Sequence, residues 1–135
     1  MKKLISLVIG EPNSINSEII AKSWKKINKT SRKRIFLIGN YKNFNDQLKK
    51  IKIKIKVKKL DSLKDFKKDN SLKILNVNLD YKNPFYVDKK DSKVYVKKCL
   101  NLAHDLAFKN IIFGFINAPV DKHIFEPSLT GVTEY

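Results

Sequence analysis

The constraint that most narrows the fold is a set of short, nearly unbroken apolar runs separated by longer lysine-rich stretches. Leu4 to Ile9 and Ile111 to Ile116 are two of these runs, and Arg34 to Ile38 and Lys73 to Leu79 repeat the pattern less purely. Runs of this length suit parallel strands covered on both faces by helices. Between them lie segments with a helical period. Ile15, Ile19, Ile20, Trp24 and Ile27 recur at steps of three and four and predict a helix that reaches about Lys29, with Asn13, Ser14, Asn16 or Ser17 as its N-cap. Lysines 22, 25, 26 and 29 load its C-terminus, where the helix dipole favours cations.

A short helix is predicted over 43–50, after Gly39-Asn40. A longer one begins at Asp91 or Ser92 and reaches about Asn110, with Val96, Cys99, Ala103, Leu106 and Ala107 as its inner stripe. Residues 51–57 alternate isoleucine or valine with lysine, the period of a strand with one solvated face. Residues 61–70 read as a polar connection with one helical turn, and 80–90 as a loop. Strands alternating with helices specify an α/β protein, and 135 residues make one domain at most.

The formal charge of +16 is extreme for this length and comes almost wholly from lysine, because only Arg32 and Arg34 are arginines. Such charge raises nonspecific affinity for polyanions. Base and phosphate readout usually recruits arginine, and no aromatic residue interleaves with the lysines of 51–57, so the lysines read as a solvated surface. A lysine-rich polyanion-binding module, or a noncatalytic relative of an enzyme, is the alternative reading, and no specific nucleic acid is expected as partner. Cys99 is the single cysteine, which excludes an internal disulfide and suits a reducing compartment. The apolar part of the N-terminus is shorter than the roughly 7–15 residues of a signal peptide, and no run approaches the ~20 of a membrane span.

Few chemical motifs survive inspection. Glycines 10, 39, 114 and 131 are too dispersed for a dinucleotide fingerprint or a P-loop. His104 reads as a helix-surface residue, Cys99 as a buried structural thiol, and His123 lacks a second metal ligand nearby. Glu11, just past the first run, and Glu134 in the tail are carboxylates that could share a cleft at the carboxyl end of a sheet.

Three segments resemble a known family. Gly10-Glu11-Pro12-Asn13-Ser14-Ile15-Asn16-Ser17-Glu18 is similar to its opening Gly-Glu-Pro-Ala-Gly-Ile-Gly-Pro-Glu. Ile116-Asn117-Ala118-Pro119-Val120-Asp121-Lys122 is similar to its Ile-Thr-Gly-Pro-Val-His-Lys. Thr130-Gly131-Val132-Thr133-Glu134-Tyr135 is similar to its Thr-Gly-His-Thr-Glu-Phe. The family is 4-hydroxythreonine-4-phosphate dehydrogenase, of pyridoxine (vitamin B6) biosynthesis. The resemblance implies a three-layer α/β/α fold of the isocitrate/isopropylmalate-dehydrogenase kind, of which this chain is an N-terminal part. It implies a cytoplasmic homodimer that oxidises 4-phosphohydroxy-L-threonine with NAD and a divalent metal, followed by decarboxylation. A metal would acidify the substrate hydroxyl, and NAD would accept the hydride.

By the same resemblance Thr133, Val132, Lys122 and Glu11 form part of the substrate site. The ligands of NAD and metal are expected beyond residue 135, and residues 1–135 form one incomplete α/β segment that is inactive in isolation. Several positions depart from the pattern. Val132 stands where the family has histidine, so that hydrogen bond to substrate is lost or replaced. Ser14 and Asn16 replace loop glycines, Ser17 replaces a proline, and the stretch from Phe125 to Leu129 is shorter.

Overall fold

The computed structural model describes residues 4–118. Five strands form one parallel sheet: β1 (Ile5–Val8), β2 (Ile35–Gly39), β3 (Val57–Leu60), β4 (Leu72–Asn76) and β5 (Gly114–Asn117). Their order across the sheet is β3-β4-β2-β1-β5. The helices are α1 (Asn16–Lys26), α2 (Lys29–Arg32), α3 (Tyr41–Lys50) and α4 (Lys89–Phe108).

The apolar runs feed two cores because alternate side chains of a strand point to opposite faces. Leu4, Val8, Phe36, Ile38 and Leu75 pack beneath α4 with Tyr95, Val96, Cys99, Leu100 and Ala103. Ile9, Leu37, Leu72 and Ile74 pack on the other face with Ile20, Ala21 and Trp24 of α1 and Phe44 and Leu48 of α3. The result is the three-layer α/β/α arrangement expected from the sequence.

Several boundaries differ from the sequence expectation. The alternating segment 51–57 is not itself the strand: β3 is Val57–Leu60, and 53–56 lead into it with alternation of burial intact. The last strand begins at Gly114 rather than Ile111, because α4 needs Asn110 to Phe113 to turn back. The start of α4 lies earlier, where Asp88 accepts from the backbone N–H groups of Lys90 and Asp91. The apolar face of α1 is rotated from the predicted one. Ile15 and Ile19 are 65% and 45% exposed, while Asn16 and Ser17 are buried. Polar side chains can take the inner face here because the Ile9 carbonyl accepts from Asn16 and Gln47 Oε1 accepts from Ser17.

Candidate functional site

In an open parallel sheet the carboxyl ends of the strands are the ground for a site, above all where neighbouring connections leave to opposite faces. Here β2 continues into α3 on one face, while β4, its neighbour, leads to α4 on the other. That crevice is closed by the protein's own side chains. Asn40 caps α3 by accepting from the Asn43 N–H at 2.8 Å, and its Nδ2 donates to the Val77 carbonyl at 2.9 Å. The Asn40 N–H donates to Tyr95 Oη at 2.8 Å, and the Tyr41 N–H donates to Asn76 Oδ1 at 2.9 Å. Gly39 is required at this point: a Cβ there would sit 2.5 Å from Ile9 Cδ1 and 2.9 Å from Tyr95 Oη.

The loop that leaves β1 carries a second group of polar side chains at the same edge. Gly10, at φ 81°, turns the chain out of β1 in a conformation that favours glycine. Glu11 follows. Its Oε1 accepts from Ser92 Oγ at 2.6 Å and from the Asn13 N–H at 3.2 Å. Asn13 forms a two-way pair with the Val87 backbone, donating from Nδ2 at 2.8 Å and accepting at Oδ1 at 2.7 Å. Ser14 Oγ donates to the Glu11 carbonyl and accepts from the Asn16 N–H, and Asn16 Nδ2 donates to the Ile9 carbonyl. The asparagines and serines expected to cap α1 therefore organise the 10–16 loop. The N-cap itself is Ile15, which has no side-chain cap.

Beside this edge, Tyr81 Oη donates to Asp46 Oδ2 at 2.6 Å and Lys42 Nζ donates to the same oxygen at 3.2 Å. The bond from Tyr81 leads the effects that hold the Asp46 carboxyl below its usual range, while burial and Asp46 push the phenol up to about 12. The pair stays carboxylate and phenol across the neutral range.

Glu11 thus stands at the carboxyl edge, as the sequence placed it, but as a brace between the first loop and the start of α4. Lys122, Val132 and Thr133 lie outside the described residues, as do His123 and Glu134. His104 is exposed and stacks on Phe108. Cys99 is buried, and burial pushes its thiol up to about 12, which suits a packing residue rather than a nucleophile. Among the described residues no group of three or more His, Cys, Asp or Glu side chains could hold a metal ion. These residues therefore do not fit a metal site by themselves. No helix among them is long and apolar enough to cross a membrane. A groove of about 360 Å³, lined by Leu48, Lys49, Ile53, Lys54 and Lys56, lies at the C-terminal end of α3, away from this edge.

The sequence reading missed the amides of Asn40, Asn43, Gln47 and Asn76. The available signal was Asn40 just after one apolar run and Asn76 interrupting another, where side-chain amides can bind loop backbone.

No protein-family profile matches the chain, and no curated protein does. Solved structures do. A 4-hydroxythreonine-4-phosphate dehydrogenase from Burkholderia phymatum matches 99% of this chain with a TM-score of 0.81 at 16% identity. The enzyme of that name from Klebsiella pneumoniae matches 98% with a TM-score of 0.79 at 20% identity. The chain spans 42% of the length of each, a share consistent with an N-terminal portion. At such identities the likeness speaks for fold. Over its own length this chain has the dehydrogenase-type α/β fold found in part of those two proteins.

Proposed function

We propose that the chain contributes the N-terminal part of an enzyme that oxidises and decarboxylates 4-phosphohydroxy-L-threonine, using NAD and a divalent metal, in pyridoxine biosynthesis. The observation that carries the reading is the fold match over nearly the whole chain, at TM-scores of 0.79 and 0.81. The Gly10-Glu11-Pro12 loop at the carboxyl end of β1 supports it. So does the position of Ala118 just past β5, from which the Pro119-to-Lys122 segment continues.

In this reading the described residues bind and orient rather than react. Glu11 fastens the first loop to α4, and the amides of α3 hold the loop after β4. Lys122 and Thr133 meet the phosphorylated substrate, and Val132 leaves one family contact unmade. Metal and dinucleotide are assigned to residues outside those described. The working protein is a cytoplasmic homodimer.

The test is an assay of the full-length gene product for NADH formation from 4-phosphohydroxy-L-threonine, with and without divalent metal. Metal-dependent NADH production is expected. A folded full-length protein that forms no NADH under any metal overturns the reading.

One observation favours a second reading. Lys52, Lys54 and Lys56 project from one exposed strip next to Lys49 and Lys50, and none of the five makes an ion pair among the described residues. A polyanion-binding protein predicts binding that falls steeply with salt.

A further inference from the structure

We infer that Gln47 is a positioning residue for the carboxyl-edge site: its buried carboxamide sets the separation of the loops at 10–14 and 80–88, and through them the placement of Glu11. The inference rests on the reading of that edge as the substrate cleft. Gln47 lies mid-way along α3 and is 1% exposed. A leucine would fill such a position with no polar group to satisfy, so the amide calls for an explanation.

Its hydrogen bonds supply one. Gln47 Nε2 donates to the carbonyl of Pro12 at 2.7 Å and to the carbonyl of Pro84 at 2.7 Å. Carbonyls only accept, so the orientation of the amide is determined. The hydroxyl of Ser17, also buried, donates to Gln47 Oε1 and closes the remaining valence. Asn43 Nδ2 adds a second donor to the Pro84 carbonyl at 3.0 Å.

The two carbonyls belong to prolines on loops that follow different strands. Both groups are acceptors and neither proline has an N–H, so these two residues cannot bond to one another through their backbones. A buried side chain with two donors is what can bridge them, and Gln47 reaches both. Above this bridge the same loops meet again at Asn13 and Val87, and Glu11 then joins the first loop to Ser92 in the first turn of α4. Gln47 is the only member of this ladder that touches both loops from within the helical layer. Loss of its donors frees both loops together, and Glu11 moves with them.

The test uses the full-length protein and the variants Gln47→Met and Gln47→Glu. Amide exchange is read at Val87, with Leu37 in the centre of β2 as internal reference. In Gln47→Met, exchange at Val87 accelerates at least about tenfold while Leu37 holds its protection. Turnover then loses efficiency through KM, with kcat changed much less. Gln47→Glu shows the same loosening at neutral pH and recovers part of it in acid, where the neutral carboxyl can again donate one bond.

Unchanged protection at Val87, or equal loss at Leu37, overturns the inference and makes Gln47 a packing residue. Should Gln47→Met fail to fold, Gln47→Glu carries the test alone, because it keeps the shape of the side chain and leaves the Asn13–Val87 pair untouched. Faster exchange at Val87 near neutral pH, partly recovered in acid, is expected, and an unchanged Val87 overturns the inference. A full-length protein without any turnover sinks the proposed function, while exchange at Val87 still decides the role of Gln47.

Discussion

Lys73 lies inside strand β4, 1% exposed, and its Nζ donates to Asp69 Oδ1 at 2.8 Å, four residues earlier in the chain. The ammonium also donates to the Ser71 carbonyl and lies 4.8 Å from the centre of the Phe66 ring. It holds the 66–71 loop over the amino end of the sheet.

The pair makes stability depend on acid. The bond from Lys73, then those from Ser71, hold the Asp69 carboxyl well below its ordinary value of 3.8. A carboxyl depressed by folding stabilises fully above that ordinary value, and the contribution is lost as pH falls through the lower folded value. Asp69→Ala strands a buried cation. A fully buried pair would cost about 3–5 kcal/mol, and with Asp69 40% exposed roughly 2 kcal/mol is expected. Urea unfolding across pH 2 to 7 should show the variant's stability falling less steeply below about pH 4 than that of the parent. Adding Lys73→Met should restore most of the loss.

Gly39→Ala tests the closed crevice. The added methyl must displace Ile9 Cδ1 and Tyr95 Oη, and the latter accepts the Asn40 N–H. A loss of about 1–3 kcal/mol is expected in chemical denaturation. A neutral result would mean that Tyr95 can retreat without releasing Asn40.

Lys52→Gly should stabilise. The end of α3 is a Schellman turn, with the Ile53 N–H donating to the Leu48 carbonyl and the Lys52 N–H to the Lys49 carbonyl. Lys52 sits at φ 60°, a conformation that costs a lysine and not a glycine. After the entropy glycine adds to the unfolded chain, a gain of roughly 0.5 kcal/mol is expected in thermal or urea unfolding. Asn110, at φ 58° in the matching turn of α4, is already a tolerant residue, and Asn110→Gly should change little.

Ser6→Ala is expected to be neutral or stabilising by up to about 1 kcal/mol. Ser6 is wholly buried in β1, and its hydroxyl has no hydrogen-bond partner among the described residues. A clear loss of stability would reveal a partner for that hydroxyl.

The outer edge of β5 predicts self-association of the 135-residue chain. Among the described residues β5 pairs with β1 alone, while Phe113 and Ile116 are 79% and 59% exposed. Phe113→Lys with Ile116→Lys should shift the chain towards monomer in sedimentation velocity. A monomeric parent chain would contradict the expectation.

The periodicity of this sequence was enough to determine the α/β class, the approximate elements and the two-faced core. Leu4 to Ile9 has to lie between two apolar layers, and the Val96, Cys99, Ala103 stripe has to face one of them, because these patterns are local and repeat at the period of a strand or a helix. Gly10-Glu11-Pro12 was legible as a loop at the carboxyl end of a strand for the same reason. Only the tertiary structure decided the strand order, the closing of the β2–β4 crevice, the burial of Lys73 and the exposure of Ile15 and Ile19. Asn13 and Val87 are 74 residues apart and Glu11 and Ser92 are 81 apart. Hydrophobic period says which side of an element is apolar. Whether a polar side chain can be buried depends on partners that distant segments bring to it, and those partners exist only once the chain has folded.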